Sequence, residues 1–277
     1  MVTYLSYLIA SHFIHIVRPR VAEAVSDLIT FLFYIFRSRI RRNVQRNLEA
    51  LGVPDGGRFI VFRNFSRTIR DFLRFSGARR EELAAYCRIE GRAYLDHALE
   101  AGRGVIVITP HLGPWEISGA YLAALGYRIH TVALPHPSKR VTDFFSKRRS
   151  AWGIRDYPIG ECIPHLLTAL RLGEVVVLLV DRNFSRRGIM LPFFGRDVIL
   201  PGGHIILTKR AGAALLSGSC YYENDRSVVV RIEEPIDLTG STGDPADIGV
   251  RCLQRIERSI QMHYEQWFAF DHLWPEH

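Results

Sequence analysis

A chain of 277 residues that is 48% hydrophobic and 23% charged is long and apolar enough for one large domain with a substantial core, which excludes a disordered tail. The net charge is +8, and with only three lysines, 33 of the 36 basic residues are arginines. Their planar, permanently charged forks favour an anionic partner (membrane surface, phosphorylated ligand, acidic protein or nucleic acid) without choosing among them. Four scattered cysteines, Cys87, Cys162, Cys220 and Cys252, form no CxxC pair. Neither a zinc ribbon nor a disulfide framework is indicated, and a reducing, cytoplasmic setting is expected.

Residues 2–17 read VTYLSYLIASHFIHIV, a stretch of 16 mostly apolar residues. It falls short of the roughly 20 that a spanning helix needs, and no small-residue cleavage site follows it. A second apolar stretch, ITFLFYIF at 29–36, is closed by Arg37, Arg39, Arg41, Arg42 and Arg46. Apolar helices ended by a cationic cluster suit a segment lying in, or dipping into, an anionic membrane face, with the cluster on the cytoplasmic side. The competing reading is two ordinary core helices and a solvated basic turn. Residues 1–40 are taken as this membrane-associating segment and 41–277 as a single domain.

Helices are expected at 40–52 and 58–76. GVIVITP at 104–110 is a short β-branched run, the mark of a buried strand. The helix after it opens at Pro114 and ends before Gly126. A strand at 128–135, helices at 138–152 and 161–172, and a strand at 174–181 come next. Residues 202–213 read as helix, 214–222 and 227–233 as strands, and 245–267 as one long amphipathic helix. This alternation predicts an α/β fold: a mixed, mostly parallel central sheet flanked by helices, with the hydrophobic helical segment at its N-terminus.

Ligands of such folds gather at the carboxyl ends of the strands, which directs attention to the residues just past Thr109 and Val180. After the first comes PHLGPWE, with His111 in the turn and Glu116 in the first turn of the helix. Placed there, the Glu116 side chain can reach back to the imidazole, fix its tautomer and leave the other nitrogen free to take a proton. Equally, a glutamate at that position is a common partner of the helix dipole. One histidine and one glutamate make a poor metal set, and no metal is expected. After the second strand comes Asp181-Arg182-Asn183, an acid–base pair suited to orienting a polar ligand or to closing the sheet edge as a salt bridge. Arg148 and Arg149 end a helix, as caps or as phosphate ligands. GxSxG, Walker and GxGxxG motifs and nucleic-acid-binding signatures are absent, so no nucleic-acid partner is expected.

Several blocks together resemble the bacterial lipid A lauroyl/myristoyl acyltransferase family of the lysophospholipid acyltransferase superfamily, with the mycobacterial phosphatidylinositol mannoside acyltransferases as similar relatives. PHLGPWE resembles the superfamily's His-x4-Asp/Glu motif. RSAWG at 149–153 resembles its Arg-x3-Gly step. EVVVLLVDRN and then LPFFG resemble the family's strand, acidic turn and aromatic-glycine segment. HYEQWFAFDHLW at 263–274 is similar to the C-terminal signature, with Tyr264 where the family often has Pro, and Asp271 and Leu273 where relatives tend to have Arg.

The resemblance implies direct acyl transfer without a covalent enzyme intermediate and without a cofactor. His111 would act as general base on an acceptor hydroxyl and Glu116 would orient and balance the imidazolium. Asp181 would support the histidine or an arginine. Arg149 and Arg182 would contact anionic substrate groups, Trp115, Phe193 and Phe194 would line an acyl path, and Gly195 completes that binding segment. The partners implied are a thioester donor on acyl carrier protein or coenzyme A, a bacterial glycolipid acceptor such as a lipid A precursor, and an anionic membrane surface at the cytoplasmic face of the inner membrane. The alternatives are a glycerolipid or aminolipid acyltransferase and a non-catalytic lipid-binding protein.

Overall fold

The computed structural model describes residues 2–53, 57–184, 187–224, 227–240 and 243–274. Four helices lead the chain: α1 (Val2–Ile16), α2 (Pro19–Phe36), α3 (Ser38–Ala50) and α4 (Arg58–Arg74). Then come α5 (Arg80–Tyr86), β1 (Cys87–Glu90), α6 (Arg92–Glu100), β2 (Val105–Thr109), α7 (Trp115–Ala124), β3 (Ile129–Ala133), α8 (Lys139–Ala151), β4 (Arg155–Pro158), α9 (Cys162–Arg171) and β5 (Val175–Leu179). The chain continues through β6 (Ile189–Phe193), β7 (Arg196–Leu200), α10 (Gly203–Ala211), β8 (Ala214–Asn224), β9 (Ser227–Pro235) and α11 (Pro245–Met262).

Seven strands form one sheet in the order β1-β9-β8-β2-β5-β3-β4. All neighbours are parallel except β8 and β9, which pair antiparallel. The α/β class and the mostly parallel sheet are therefore as the alternation of apolar runs predicts. β2 and β5, side by side at the centre, are nearly continuous runs of Val, Ile and Leu, as strands covered on both faces must be. Ile106 and Ile108 of β2 face a core shared with α9, α10 and α11, while Val105 and Val107 face one shared with α6, α7 and α8. A third cluster, with Val44, Leu48, Val61, Phe62 and Phe268, ties α3 and α4 to the C-terminal segment.

The differences from the sequence-based expectation lie at short elements and ends. β1, β4 and the separate β6–β7 hairpin were not expected. The long C-terminal helix stops at Met262 and not at Trp267. His263 turns the backbone out of the helix, a single 3-10 turn comes after it, and the freed Gln266–Phe268 backbone docks on the turn after β2. Among the described residues, no helix is long and apolar enough to cross a membrane.

Candidate active site

The site is built where β2 and β5 end side by side. Past Thr109 the chain leaves the sheet through Pro110-His111-Leu112-Gly113-Pro114 and enters α7. Gly113 takes φ +56°, and a Cβ there would collide with the Cys220 carbonyl of β8, so this turn lies against the sheet only because residue 113 is glycine. The C-terminal segment closes the turn from above. Gly113 N–H donates to the Gln266 carbonyl and Phe268 N–H donates to the His111 carbonyl, each at 2.9 Å. Gln266 is itself held at both ends of its amide by the Tyr222 backbone.

Asp181, two residues past β5, reaches across to this turn and has no exposed surface. The His111 Nδ1 lies 2.7 Å from its Oδ1. Its Oδ2 accepts from the His111 backbone N–H at 3.0 Å and from the Trp267 indole N–H at 2.8 Å. Burial pushes the Asp181 carboxyl up, but the facing His111 ring and these donors outweigh it and hold it below its ordinary value. An ionised Asp181 makes Nδ1 the protonated nitrogen of the imidazole and leaves Nε2 with its lone pair available.

Glu116 does not take that place. Its carboxylate is gripped by the Arg149 fork, Nε to Oε2 at 2.9 Å and NH2 to Oε1 at 2.5 Å, and the remaining nitrogen of Arg149 reaches Asp156 at 3.1 Å. The carboxylate on the imidazole is thus Asp181, 70 residues away in the chain, and not the glutamate five positions on. Arg149 is correspondingly spent within the protein. Burial alone would lower its pKa, and Glu116 and Asp156 outweigh that and raise it. All three of its nitrogens donate to carboxylates of the protein.

Arg182 is placed differently. It pairs with Asp271 at 2.5 Å, lies 4.8 Å over the Phe184 ring and keeps a buried Nε with no partner. Trp115 is half-buried, its ring 5.6 Å from that of His111. Phe193, Phe194 and Gly195 belong to the hairpin and the core. Phe193 is fully buried against Trp274 and Trp267, at 5.9 and 6.3 Å. Phe194 and Gly195 both take positive φ, 51° and 70°, as the two central residues of a tight β6–β7 turn with mirror-image twist.

Two cavities flank the histidine turn on opposite faces of the sheet. One, of about 500 Å³, begins at His111 and Arg182 and runs over Leu134, Ile163, Leu166 and Leu178 toward the first turn of α10. The other, of about 90 Å³, is a narrow slot under Trp115 and Glu116 that passes Gly119 and Gly218 and crosses β9, β8, β2, β5 and β3. With strands about 4.8 Å apart, five of them span about 19 Å. Both linings are predominantly aliphatic.

The turn residue His111 and the strand-end residue Asp181 both answer to the rule that sites sit at carboxyl ends of strands. Trp267 does not: it reaches the site only through a fold contact spanning 86 residues. Its one sequence signal is its place in the C-terminal block.

A model of the bacterial lipid A biosynthesis acyltransferases matches residues 2–276. A phosphatidylinositol mannoside acyltransferase of Mycobacterium tuberculosis is 29% identical over 244 residues, covering 85% of this chain and 76% of that protein. The protein of the same name from Mycolicibacterium smegmatis is 26% identical over 242 residues, 85% of this chain and 79% of the other. The chain belongs to the bacterial lipid A biosynthesis acyltransferase family, and it is an acyltransferase.

Proposed function

We propose that the protein is a membrane-associated O-acyltransferase that moves a fatty acyl chain from a thioester of acyl carrier protein or coenzyme A to a hydroxyl of a bacterial glycolipid. The observation that carries this reading is the His111–Asp181 pair opening onto a 500 Å³ apolar cavity. Nε2 of His111 takes the proton of the acceptor hydroxyl as its oxygen forms the new bond to the thioester carbonyl carbon. The tetrahedral adduct then collapses, the carbon–sulfur bond breaks, and the leaving thiolate takes the proton from Nε2. Asp181 holds the ring and balances the transient imidazolium, the part that the His-x4-Glu spacing assigns to Glu116. Glu116 acts at one remove, locking the start of α7 to α8 through Arg149.

The acyl chain and the lipid acceptor are each apolar, and the two cavities beside the turn offer each a separate place. The names of the mycobacterial relatives support a glycolipid acceptor. Arg182, which lines this cavity together with His111, is our candidate cation for an anionic group of either substrate. The exposed apolar faces of α1 and α2 and the arginines after them support a place on the cytoplasmic face of the inner membrane.

The test is thioester consumption with lysolipids, phosphatidylinositol mannosides and lipid A precursors as acceptors, with mass spectrometry of the products. A product heavier by one acyl chain on a glycolipid, absent with His111→Ala, is expected. General-base assistance contributes about 10²–10⁴ in rate. Normal turnover by a folded His111→Ala protein overturns the mechanism, and acylation of glycerolipids alone overturns the acceptor.

A further inference from the structure

β8 outruns its neighbour in the sheet. The last residue of β2 to pair with it is Ile108, opposite Ser217, while β8 continues to Asn224. One edge of this extension stays paired with β9 through Tyr222 and Asn224. On the edge that β2 leaves open, the buried backbone must find other partners. At Tyr222 one side chain supplies both. Gln266 Oε1 accepts the Tyr222 N–H at 2.7 Å, and Gln266 Nε2 donates to the Tyr222 carbonyl at 3.0 Å. An opposed residue of a neighbouring strand exchanges the same two bonds, so the amide stands in for the strand that has ended. Gln266 is only 5% exposed, and an amide so buried is costly unless both its ends are bonded.

The main chain of the same stretch holds the catalytic pair. The Gln266 carbonyl accepts the Gly113 N–H, Trp267 and Leu112 form an isolated antiparallel bridge, and Phe268 N–H donates to the His111 carbonyl. The Trp267 indole holds Asp181. Three consecutive residues therefore touch the histidine turn and its carboxylate, and the first of them ties all three to β8. The turn rests on that strand as well, with Cys220 Sγ donating to the Leu112 carbonyl at 3.1 Å. We propose that Gln266 is a positioning residue for the His111–Asp181 pair: its bonds to Tyr222 fix the segment that carries Trp267 and closes the histidine turn. The effect on turnover rests on the proposed role of His111 as base. The effect on the state of the imidazole ring does not.

Gln266→Met keeps the length of the side chain and removes both bonds. Its kcat is expected to fall about 10- to 100-fold, as for a small misplacement of a catalytic group, with KM for either substrate little changed. In protein labelled with nitrogen-15 at histidine, the His111 ring is expected to move from the form protonated at Nδ1 toward a mixture of tautomers. Gln266→Glu separates bonding from packing. Ionised, it has no donor for the Tyr222 carbonyl. Protonated, it offers that carbonyl a hydroxyl and keeps an oxygen for the N–H. Burial raises the pKa of such a carboxyl, so kcat relative to wild type is expected to rise at least about fivefold from about pH 8.5 to about pH 6, while Gln266→Met shows no such rise. Charged groups facing this region (Arg67 and Asp71 beyond Tyr222, His263 and Glu265 before it in the chain, His111 and Asp181 across the turn) are common to both proteins and cancel in the ratio.

Wild-type kcat in folded Gln266→Met overturns the inference. So do His111 ring signals that stay at their wild-type positions while activity falls, since the loss is then one of packing. Should neither variant fold, the wild-type protein decides. Its Gly113, Tyr222 and Phe268 amides are expected to exchange with solvent in one common opening, whereas free exchange at Gly113 and Phe268 beside a protected Tyr222 overturns the inference. Ring signals and exchange are read without turnover, so a folded His111→Ala protein that stays active removes the base and leaves these readings to judge Gln266.

Discussion

Each oxygen of Asp181 has a defined duty, and this makes the residue more than a counter-charge. Oδ1 faces the imidazole, while Oδ2 is held by the Trp267 indole and the His111 backbone. The carboxyl is held below its ordinary value, so it stays ionised at every pH at which the enzyme would work. Replacing it by asparagine keeps the shape but presents an amide to Nδ1, which favours the wrong tautomer and removes the balancing charge. Asp181→Asn is expected to lower kcat by about 10²–10⁴ with little change in KM for either substrate. Trp267→Phe keeps a ring in the core and loses only one donor. A hydrogen bond to a charged group contributes about 1.5–3 kcal/mol, so the expected loss is smaller, about ten- to a hundredfold. Steady-state kinetics on the two folded variants check both. An Asp181→Asn enzyme with near-normal kcat would return the orienting role to Glu116.

At the scale of elements, α10 carries a group that links stability to pH. His204, in its first turn, is buried, and neither ring nitrogen makes a hydrogen bond. Burial pushes its pKa down to about 4, with the Pro201 carbonyl opposing. An unfolded histidine titrates near 6.5, so between about 6.5 and 4 the unfolded chain binds a proton that the folded one does not. Stability therefore falls as pH drops through that window, by about 3 kcal/mol from this residue once pH is below 4. His204→Leu is expected to flatten the decline in urea midpoint between pH 7.5 and pH 5, leaving a smaller slope from His130, which burial also lowers against the pull of Glu174. An unchanged slope would mean that His204 is hydrated or paired in solution. Elements also mark where the sequence was readable. β2 and β5 announce themselves because strands covered on both faces must be apolar throughout. β4, with the sequence RDYP at the sheet edge, carries no such run and is set by pairing with β3. The hairpin is hidden because Phe194 occupies a positive-φ turn position that Asn, Asp or Gly usually signals. The same limit holds in the site: His111 could be read from its turn, whereas the choice between Glu116 and Asp181 is made by contacts that cross the fold.

Across the whole molecule, the question is how an acyltransferase without a spanning helix among its described residues could sit at a bilayer. α2 supplies an answer in its two faces. Thr30 is buried, and Glu23, Ser26 and Asp27 lie on the side of α2 next to α4, where Asp27 meets Arg63 at 3.4 Å, Glu23 meets Arg70 at 3.5 Å and Ser26 meets Ser66 at 2.7 Å. Val25, Leu28, Ile29, Leu32 and Phe36 remain exposed. At about 1.5 Å per residue, its 18 residues span about 27 Å, short of the hydrocarbon core of about 30 Å. Crossing would also strip those two acids of their arginine partners in hydrocarbon, where a central carboxylate costs at least about 2.5 kcal/mol. Lying flat keeps the ion pairs in the protein and puts only the apolar face in lipid. Ile29→Asn/Phe36→Asn is therefore expected to weaken partition onto anionic vesicles at least about tenfold without altering turnover of detergent-dispersed substrate, since each side chain forfeits about 1.5–3 kcal/mol of burial when placed in lipid. Wild-type protein bound to membranes should be released by alkaline carbonate, as a surface-lying protein is, and high salt should loosen it by screening the arginines after α2. Retention of the full chain through carbonate would contradict the flat arrangement, and unaltered partition of the double variant would move the anchor elsewhere on the molecule.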